Sequence, residues 1–201
     1  MVNQYEKLVL HRSGPDVTSV AGYAGGSPPD PSTPNLCYHN SVNQADYGEL
    51  GHAEVVSLTL PGSDAVKAAS KVFFLDFREL EPGQWTRRDV FDRGSEYRAL
   101  IGIPGGVDGP FYKQVEEANE EVHGLKLMPG VGGDDDTIDT GVVWVYDSEE
   151  FAVGQAEVCL QFRDDNPAYS EPYSEAYHEL AGELEGVGKI MNTTCPVNFI
   201  C

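Results

Sequence analysis

The sequence has few cysteines, few basic residues and no long hydrophobic run. Four cysteines in 201 residues are too few for a disulfide-rich scaffold, and none of them forms a Cys-x-x-Cys pair. The five histidines are not spaced with these cysteines as zinc ligands are, so we expect neither a metal nor a cofactor. No apolar segment approaches the roughly 20 residues that span a bilayer, so we expect no membrane association.

Positive charge is scarce in this chain. Thirteen Lys and Arg residues stand against thirty-three Asp and Glu residues, which gives a formal net charge of -20 at pH 7. A surface of this sign repels phosphate backbones and anionic lipid headgroups, so nucleic acids and membranes are not expected partners. Such acidity is typical of a solvated, soluble surface, and an acidic or saline compartment is the alternative.

The length is that of one domain, since domains commonly contain roughly 100–200 residues. We predict a single domain over residues 1–201, in which 186–201 is a mobile, cysteine-containing tail. The start of the chain has no basic segment followed by an apolar one, as a secretory signal would. We therefore expect the protein in the cytoplasm. We also expect a monomer.

Hydrophobic periodicity predicts a mixture of strands and helices. Strands are predicted at 17–21, 55–60, 99–103, 142–146 and 156–162, with a glycine-rich turn at 22–26. Helices are predicted at 65–79, where Asp64 would be the cap, and at 112–122 and 174–184. Because the elements show neither strict βαβ alternation nor a repeat, we predict an α+β fold. Its expected form is a two-layer α/β sandwich with a mixed sheet and a long, irregular C-terminal segment.

Two segments place acidic groups where they could act on a substrate. Glu54 follows a glycine and a histidine at the start of a predicted strand, where a partly desolvated carboxyl group can donate a proton at neutral pH. Asp92 and Tyr97 flank Gly94, in a turn that could direct the acid inward with the phenol beside it. The alternatives are an exposed glutamate at a strand end and an ordinary surface turn. Arg98 could pair with a nearby acid, whereas Arg87 and Arg88 are expected in solvent.

Three segments together resemble the A-type peptide methionine sulfoxide reductases. They are Gly-Tyr-Ala-Gly-Gly at 22–26, Gly-His-Ala-Glu-Val-Val at 51–56 and Asp-Arg-Gly-Ser-Glu-Tyr-Arg at 92–98, in the family's order and near its spacing. Beyond Arg98 the chain resembles only a divergent branch, through Gln-Phe-Arg-Asp-Asp at 161–165 and Thr-Cys-Pro at 194–196. The resemblance implies thiol-dependent reduction of methionine-S-sulfoxide, free or in proteins, and so a role in repairing oxidised proteins.

The resemblance also implies roles for particular residues. A thiolate would attack the sulfoxide sulfur while Glu54 protonates the oxygen, and Asp92 would support the site through water or the tyrosines. Tyr97 and Tyr38 would hydrogen-bond the oxygen, and Tyr47 is the alternative to Tyr38 because the loop before Glu54 is longer than in the family. Tyrosines in such a loop are more commonly packing residues with a wet hydroxyl.

The resemblance implies that a C-terminal cysteine regenerates the attacking thiol from its sulfenic acid. Cys195 is expected to capture the sulfenic acid as a disulfide that thioredoxin or a similar dithiol reduces, and Cys201 is the alternative. Glycines at 182, 186 and 188 would let this tail reach its target. The alternative is a frayed tail whose thiols are inert. Cys37 is expected to be a small buried residue rather than a nucleophile.

The sequence departs from the family at its beginning. The family's nucleophile lies in a Gly-Cys-Phe-Trp segment, which would fall at or just before Met1, and residues 1–201 contain no such segment. Residues 5–10 also look like the latter half of a helix. We therefore expect an N-terminally short reductase, from which an organellar signal could be missing as well. The alternative is a non-catalytic binding or regulatory protein on the same scaffold.

Overall fold

A computed structural model describes residues 18–26, 36–40, 44–89, 93–161 and 175–195. Its strands are β1 Thr18–Gly25, β2 His39–Asn40, β3 Ala45–Asp46, β4 His52–Thr59, β5 Phe77–Glu81, β6 Gln84–Arg87, β7 Leu100–Ile103, β8 Lys126–Pro129, β9 Val142–Asp147 and β10 Gly154–Gln155. Its α-helices are α1 Ser63–Phe74, α2 Tyr112–Val122 and α3 Glu175–Gly186. Among these described residues, no helix is both long enough and apolar enough to span a membrane.

The strands of the described residues are divided among small sheets. β1 pairs antiparallel with both β10 and β4, whereas β9 pairs in parallel with β7 and β8. β2–β3 and β5–β6 are separate antiparallel pairs. The predicted α+β class is confirmed. Among the described residues, parallel and antiparallel pairing occur in separate sheets. The helix α2 connects β7 to β8 in the parallel sheet, as a crossover between parallel strands requires.

The main core lies between the parallel sheet and the helices α1 and α2. Val143 and Val145 of β9 are almost fully buried, since helices cover this sheet. Phe74 at the end of α1 and Val115 of α2 have no exposed surface and pack in the same cluster. This core supports β7, and Tyr97 and Arg98, two of the residues described below, lie just before that strand.

Phe74→Ala should lower the free energy of unfolding by roughly 3–5 kcal/mol, because a fully buried aromatic ring leaves a cavity that the core fills only in part. Denaturant-induced unfolding of the full chain measures this change. Leu75→Ala is the matched control, since its side chain is 48% exposed and should change stability by less than about 1 kcal/mol. Equal losses for the two variants would contradict this assignment of the core.

The predictions for β4, β7, β9, α2 and α3 are confirmed within one to three residues. The helix predicted at 65–79 is wrong over its last part, 75–79. α1 ends at Phe74, and β5 then pairs with β6 around the Pro-Gly turn at 82–83. Gly83 has a φ of 80°, which a residue without a Cβ adopts easily, so the turn signal outweighs the helical spacing. The N-cap is Gly62, and Asp64 lies in the first turn.

Two further predictions differ from the structure. The glycine-rich segment at 22–26 was predicted as a turn, but β1 continues through Gly25. The small residues allow close strand approach there, since a Cβ on Gly22 would lie 2.2 Å from the carbonyl oxygen of Gly154. The strand predicted at 156–162 is wrong as well: the described part forms a 3-10 turn, Val158–Leu160, and only Gly154 and Gln155 pair with β1.

Candidate functional site

The pairing of β1 with β4 brings the first functional side chains together. Tyr23 lies opposite Glu54 in this register, and Tyr23 is only 2% exposed. Tyr47 lies in the turn before β4, where its N–H donates to the carbonyl of Tyr38 at 2.9 Å and its carbonyl accepts from the N–H of His52 at 3.0 Å. These backbone bonds hold the Tyr47 side chain over the start of β4.

A phenol is hydrogen-bonded to the predicted acid. The Tyr47 hydroxyl donates to Oε2 of Glu54 at 3.1 Å, and Tyr47 also makes a side-chain hydrogen bond with Tyr97. Burial raises the pKa of Tyr47 far above its ordinary value, and the nearby Glu54 and Tyr97 raise it further. Tyr47 therefore remains a neutral hydrogen-bond donor across the physiological pH range. Glu54, Tyr47 and Tyr97 form what we call the acid–phenol site.

A second carboxyl group near Tyr47 is buried, whereas Glu54 is half-buried. Glu157 is 1% exposed, and its two oxygens accept hydrogen bonds from the Tyr23 hydroxyl at 3.1 Å and from the Tyr38 N–H at 2.9 Å. The Tyr23 ring stacks on Tyr47 with centroids 4.4 Å apart, and Tyr38 meets Tyr47 edge-on at 5.2 Å. Burial, followed by the charge of Glu157, raises the pKa of Tyr23 well above its usual range. The rings thus connect Glu157 to the acid–phenol site.

A disulfide lies beside this second carboxylate. Cys37 and Cys195 are bonded to each other with their Cα atoms 5.6 Å apart, and both residues are buried. Cys159 is disulfide-bonded too, so none of the described cysteines holds a free thiol. The sulfurs of Cys37 and Cys195 and a carboxylate oxygen of Glu157 lie within 4.8 Å of one another, the one such group in the described residues that could hold a metal ion. Thiolates rather than disulfide sulfurs are the usual metal ligands.

An apolar cavity of about 430 Å³ opens next to the acid–phenol site. Glu54 and Tyr97 line it together with Phe73 of α1. The residues at 54–58 of β4 and 100–103 of β7 line it consecutively. Because successive strand residues point to opposite faces, consecutive lining residues indicate that β4 and β7 face the cavity with their edges. The cavity is large enough for a thioether side chain, with an acid and a phenol at its wall.

Arg98 holds the segments around the acid–phenol site in place. It is 2% exposed, and its guanidinium donates to the carbonyls of Gly51 at 2.8 Å, Ser95 at 2.7 Å and Gly132 at 2.5 Å. It also donates to the Tyr146 hydroxyl at 2.9 Å. These bonds fix the chain just before Glu54 and just before Tyr97. Arg98 was predicted to pair with an acid. In these hydrogen bonds it donates instead to backbone carbonyls and to a tyrosine hydroxyl.

Arg87 is a correction, because it was expected in solvent. Its side chain is only 3% exposed, and its guanidinium donates to the carbonyl of Tyr97 at 2.6 Å. Arg88, by contrast, is exposed as predicted. Thr86 and Arg87 are both buried although they are consecutive, so the alternation expected along a strand does not hold at the end of β6. The sequence alone therefore does not show which arginine is buried.

The structure brings together some of the predicted site residues. Glu54 and Tyr97 are adjacent, and the phenol that contacts Glu54 is that of Tyr47, whereas Tyr38 contacts Glu157 through its backbone. Cys195 is bonded to Cys37. Asp92 and Cys201 lie outside the described residues.

Sequence reasoning missed Tyr23 and Glu157 as members of the site. The signal for Glu157 was its position in an otherwise apolar run, Ala-Glu-Val-Cys-Leu at 156–160, where an acidic side chain requires a hydrogen-bonding partner if it is buried. The signal for Tyr23 was its place in a glycine-rich strand that pairs with the strand of Glu54.

No model of a known protein family matches the chain, and searches among curated proteins and among solved structures found no match either.

Proposed function

We propose that the acid–phenol site binds methionine-S-sulfoxide and serves its thiol-dependent reduction to methionine. The observation that carries the proposal is the hydrogen bond from the Tyr47 hydroxyl to Glu54, with Tyr97 beside it. A sulfoxide oxygen accepts hydrogen bonds and must gain a proton when its bond to sulfur breaks. The carboxyl group of Glu54 and the phenol of Tyr97 at the wall of an apolar cavity, with the Tyr47 phenol hydrogen-bonded to both, are suited to supply the hydrogen bonds and the proton.

The proposed reaction has three balanced steps. A thiol attacks the sulfoxide sulfur and takes its oxygen, which leaves methionine and a sulfenic acid on the attacking cysteine. A second thiol, assigned to Cys195, condenses with the sulfenic acid to give a disulfide and water. A dithiol protein such as thioredoxin then supplies the two electrons and two protons that restore both thiols. In the family that the sequence resembles, the first thiol lies in a Gly-Cys-Phe-Trp segment, which residues 1–201 do not contain.

Binding without reduction is the second candidate. It is favoured by the state of the described cysteines, since Cys37, Cys159 and Cys195 are all in disulfides and none presents a thiolate to the acid–phenol site. In this case the protein would recognise oxidised methionine in another protein, or free, and would regulate rather than repair. The two candidates share the acid–phenol site and differ only in the thiol.

The shared part of the proposal predicts selective binding by residues 1–201. N-acetyl-methionine-S-sulfoxide should bind more tightly than the R-sulfoxide or the thioether, as measured by titration calorimetry. Tyr47→Phe should weaken this binding roughly tenfold, because it removes one buried hydrogen-bond donor. Tyr112→Phe, which removes a phenol from α2 and away from the cavity, is the matched control. Equal affinities for the two sulfoxides, or an unchanged affinity in Tyr47→Phe, would contradict the proposed site.

Turnover separates the two candidates. Methionine formation from the S-sulfoxide, with dithiothreitol as reductant, is measured for residues 1–201 alone and for a chain extended at its N-terminus by a Gly-Cys-Phe-Trp segment. Residues 1–201 alone should show little or no reduction. Turnover by the extended chain, lost when the added cysteine is changed to serine, supports the reductase. Selective binding without turnover in either chain supports the binding protein.

A further inference from the structure

Glu157 is a buried carboxylate with sulfur neighbours. Both of its oxygens accept hydrogen bonds, from Tyr23 and Tyr38, and the ion pairs found among the described residues do not include it. A carboxyl group buried in this way costs free energy, and a purely structural disulfide needs no such neighbour. The carboxylate therefore calls for an explanation in terms of the chemistry of Cys37 and Cys195.

We propose that the Cys37–Cys195 disulfide is a reversible redox pair and that Glu157 is the base that accepts and returns the proton of its thiol. The sulfurs and a Glu157 oxygen lie within 4.8 Å of one another, so a small rotation brings a thiol onto the carboxylate. Cys37 then serves as a second recycling cysteine. It attacks the disulfide between Cys195 and the first cysteine, so that the disulfide is transferred from the acid–phenol site to the Cys37–Cys195 pair. That role in recycling rests on the proposed function, whereas the exchange reaction itself does not.

The segment that carries Cys195 is suited to opening. Residues 187–195 contain no helix or strand, and Val187 and Met191 are 72% and 67% exposed. Ile190 packs in a small apolar cluster that is separate from the main core, and its N–H donates to the carbonyl of Leu184. Two hydrogen bonds join Gln155 to the backbone of Met191. Because the segment lies outside the main core, its local opening costs less than global unfolding. An external dithiol can therefore reach the sulfur of Cys195.

The exchange balances in both directions. On oxidation, Glu157 takes the proton of the Cys37 thiol, and the thiolate attacks the Cys195 sulfur of a mixed disulfide, from which the partner sulfur leaves as a thiolate. On reduction, the first thiolate of an external dithiol attacks Cys195, and Cys37 leaves as a thiolate. Because Glu157 has passed the earlier proton to water, it takes a new proton from water and delivers it to Cys37. The second thiolate of the dithiol then releases Cys195, whose thiolate takes a proton from water. The dithiol loses two electrons, and the protein disulfide gains them.

The test uses the full chain and the disulfide of Cys159 as an internal reference. Folded protein is reduced with dithiothreitol and then reoxidised with its oxidised form, and samples are alkylated at intervals and mapped by mass spectrometry. A chelator prevents zinc from binding to the reduced pair and Glu157. Cys159 is more exposed than Cys37 or Cys195, so access alone predicts that its disulfide reacts first. We expect the reverse: the Cys37–Cys195 bond is the first to open and the first to form again.

Variants test the role of Glu157 itself. Glu157→Gln keeps the shape and the bond from the Tyr38 N–H but is not a base, so the Cys37–Cys195 bond should form roughly 10²-fold more slowly, the low end of what a positioned base contributes. Glu150→Gln, an exposed residue after β9, is the matched control and should change nothing. The rate for the Cys159 disulfide should stay the same in both variants.

Two results would overturn the inference. A Cys37–Cys195 bond that opens only in denaturant, or only after that of Cys159, would make it a structural disulfide. An unchanged rate of formation in Glu157→Gln would remove the carboxylate from the chemistry. If Glu157→Gln does not fold, the order of the two disulfides in the native chain still decides the matter. None of these measurements contains a sulfoxide, so failure here is distinct from failure of the proposed function.

Discussion

Glu54→Gln, in a chain extended by the Gly-Cys-Phe-Trp segment, should lower the turnover of methionine-S-sulfoxide roughly 10²–10⁴-fold, the usual effect of removing a positioned general acid. Gln can still accept the hydrogen bond that Tyr47 donates to Glu54 at 3.1 Å, so the geometry of the site should survive. It has no acidic proton to give to the leaving oxygen. Steady-state rates with dithiothreitol measure the loss.

Binding provides the second measurement on this variant. Because Tyr47 and Tyr97 remain, the affinity of Glu54→Gln for the sulfoxide should change much less than its turnover. Glu120→Gln, an exposed residue of α2, is the control for loss of one negative charge. Full activity of Glu54→Gln at neutral pH would show that Glu54 is merely a residue at the start of a strand. The acid would then have to be sought at Asp92.

Cys195→Ser, in the same extended chain, should abolish turnover with thioredoxin while leaving the first chemical step intact. One equivalent of methionine per protein should still form in a rapid single turnover, because the first thiol attacks the sulfoxide without help from Cys195. Dithiothreitol, which attacks a sulfenic acid directly, should restore part of the steady-state rate. Methionine release is measured with each reductant.

The parallel variant Cys201→Ser decides between the two tail cysteines. If Cys195→Ser turns over normally with thioredoxin and Cys201→Ser does not, the assignment within the tail is reversed. If neither substitution matters, recycling proceeds through another thiol. In the structure Cys195 lies in a buried disulfide with Cys37, so its sulfur can meet that of a distant cysteine in the folded chain.

Local patterns in the sequence predicted the elements whose type and ends depend on their own residues. β4 has alternating apolar residues and α2 is ended by Gly124 at a positive φ of 67°, so each could be read from a short window. The β5–β6 pair was missed because the apolar spacing of α1 runs on into β5. The Pro-Gly turn at 82–83 was the stronger signal, and it lies in the sequence.

The candidate site could be predicted only in part from the sequence, for a different reason. Tyr47 and Glu54 are seven residues apart, so their contact depends on one turn, and the alternative of Tyr38 or Tyr47 covered it. Glu157 contacts Tyr23 across 134 residues, and Cys37 is bonded to Cys195 across 158. Contacts between residues so far apart in the sequence depend on how the sheet and the C-terminal segment pack, and no local sequence pattern encodes this packing.

Because the disulfide joins Cys37 to Cys195, residues 37–195 form one covalent ring that contains nearly all of the described structure. A single backbone cut within this ring opens it but separates no fragment. A chain nicked once by a protease would therefore keep both halves, and with them Glu54, Tyr97 and Glu157, on one molecule. Reduction of the Cys37–Cys195 bond removes this tether, so the redox state of the protein also sets whether such a cut is tolerated or divides the chain.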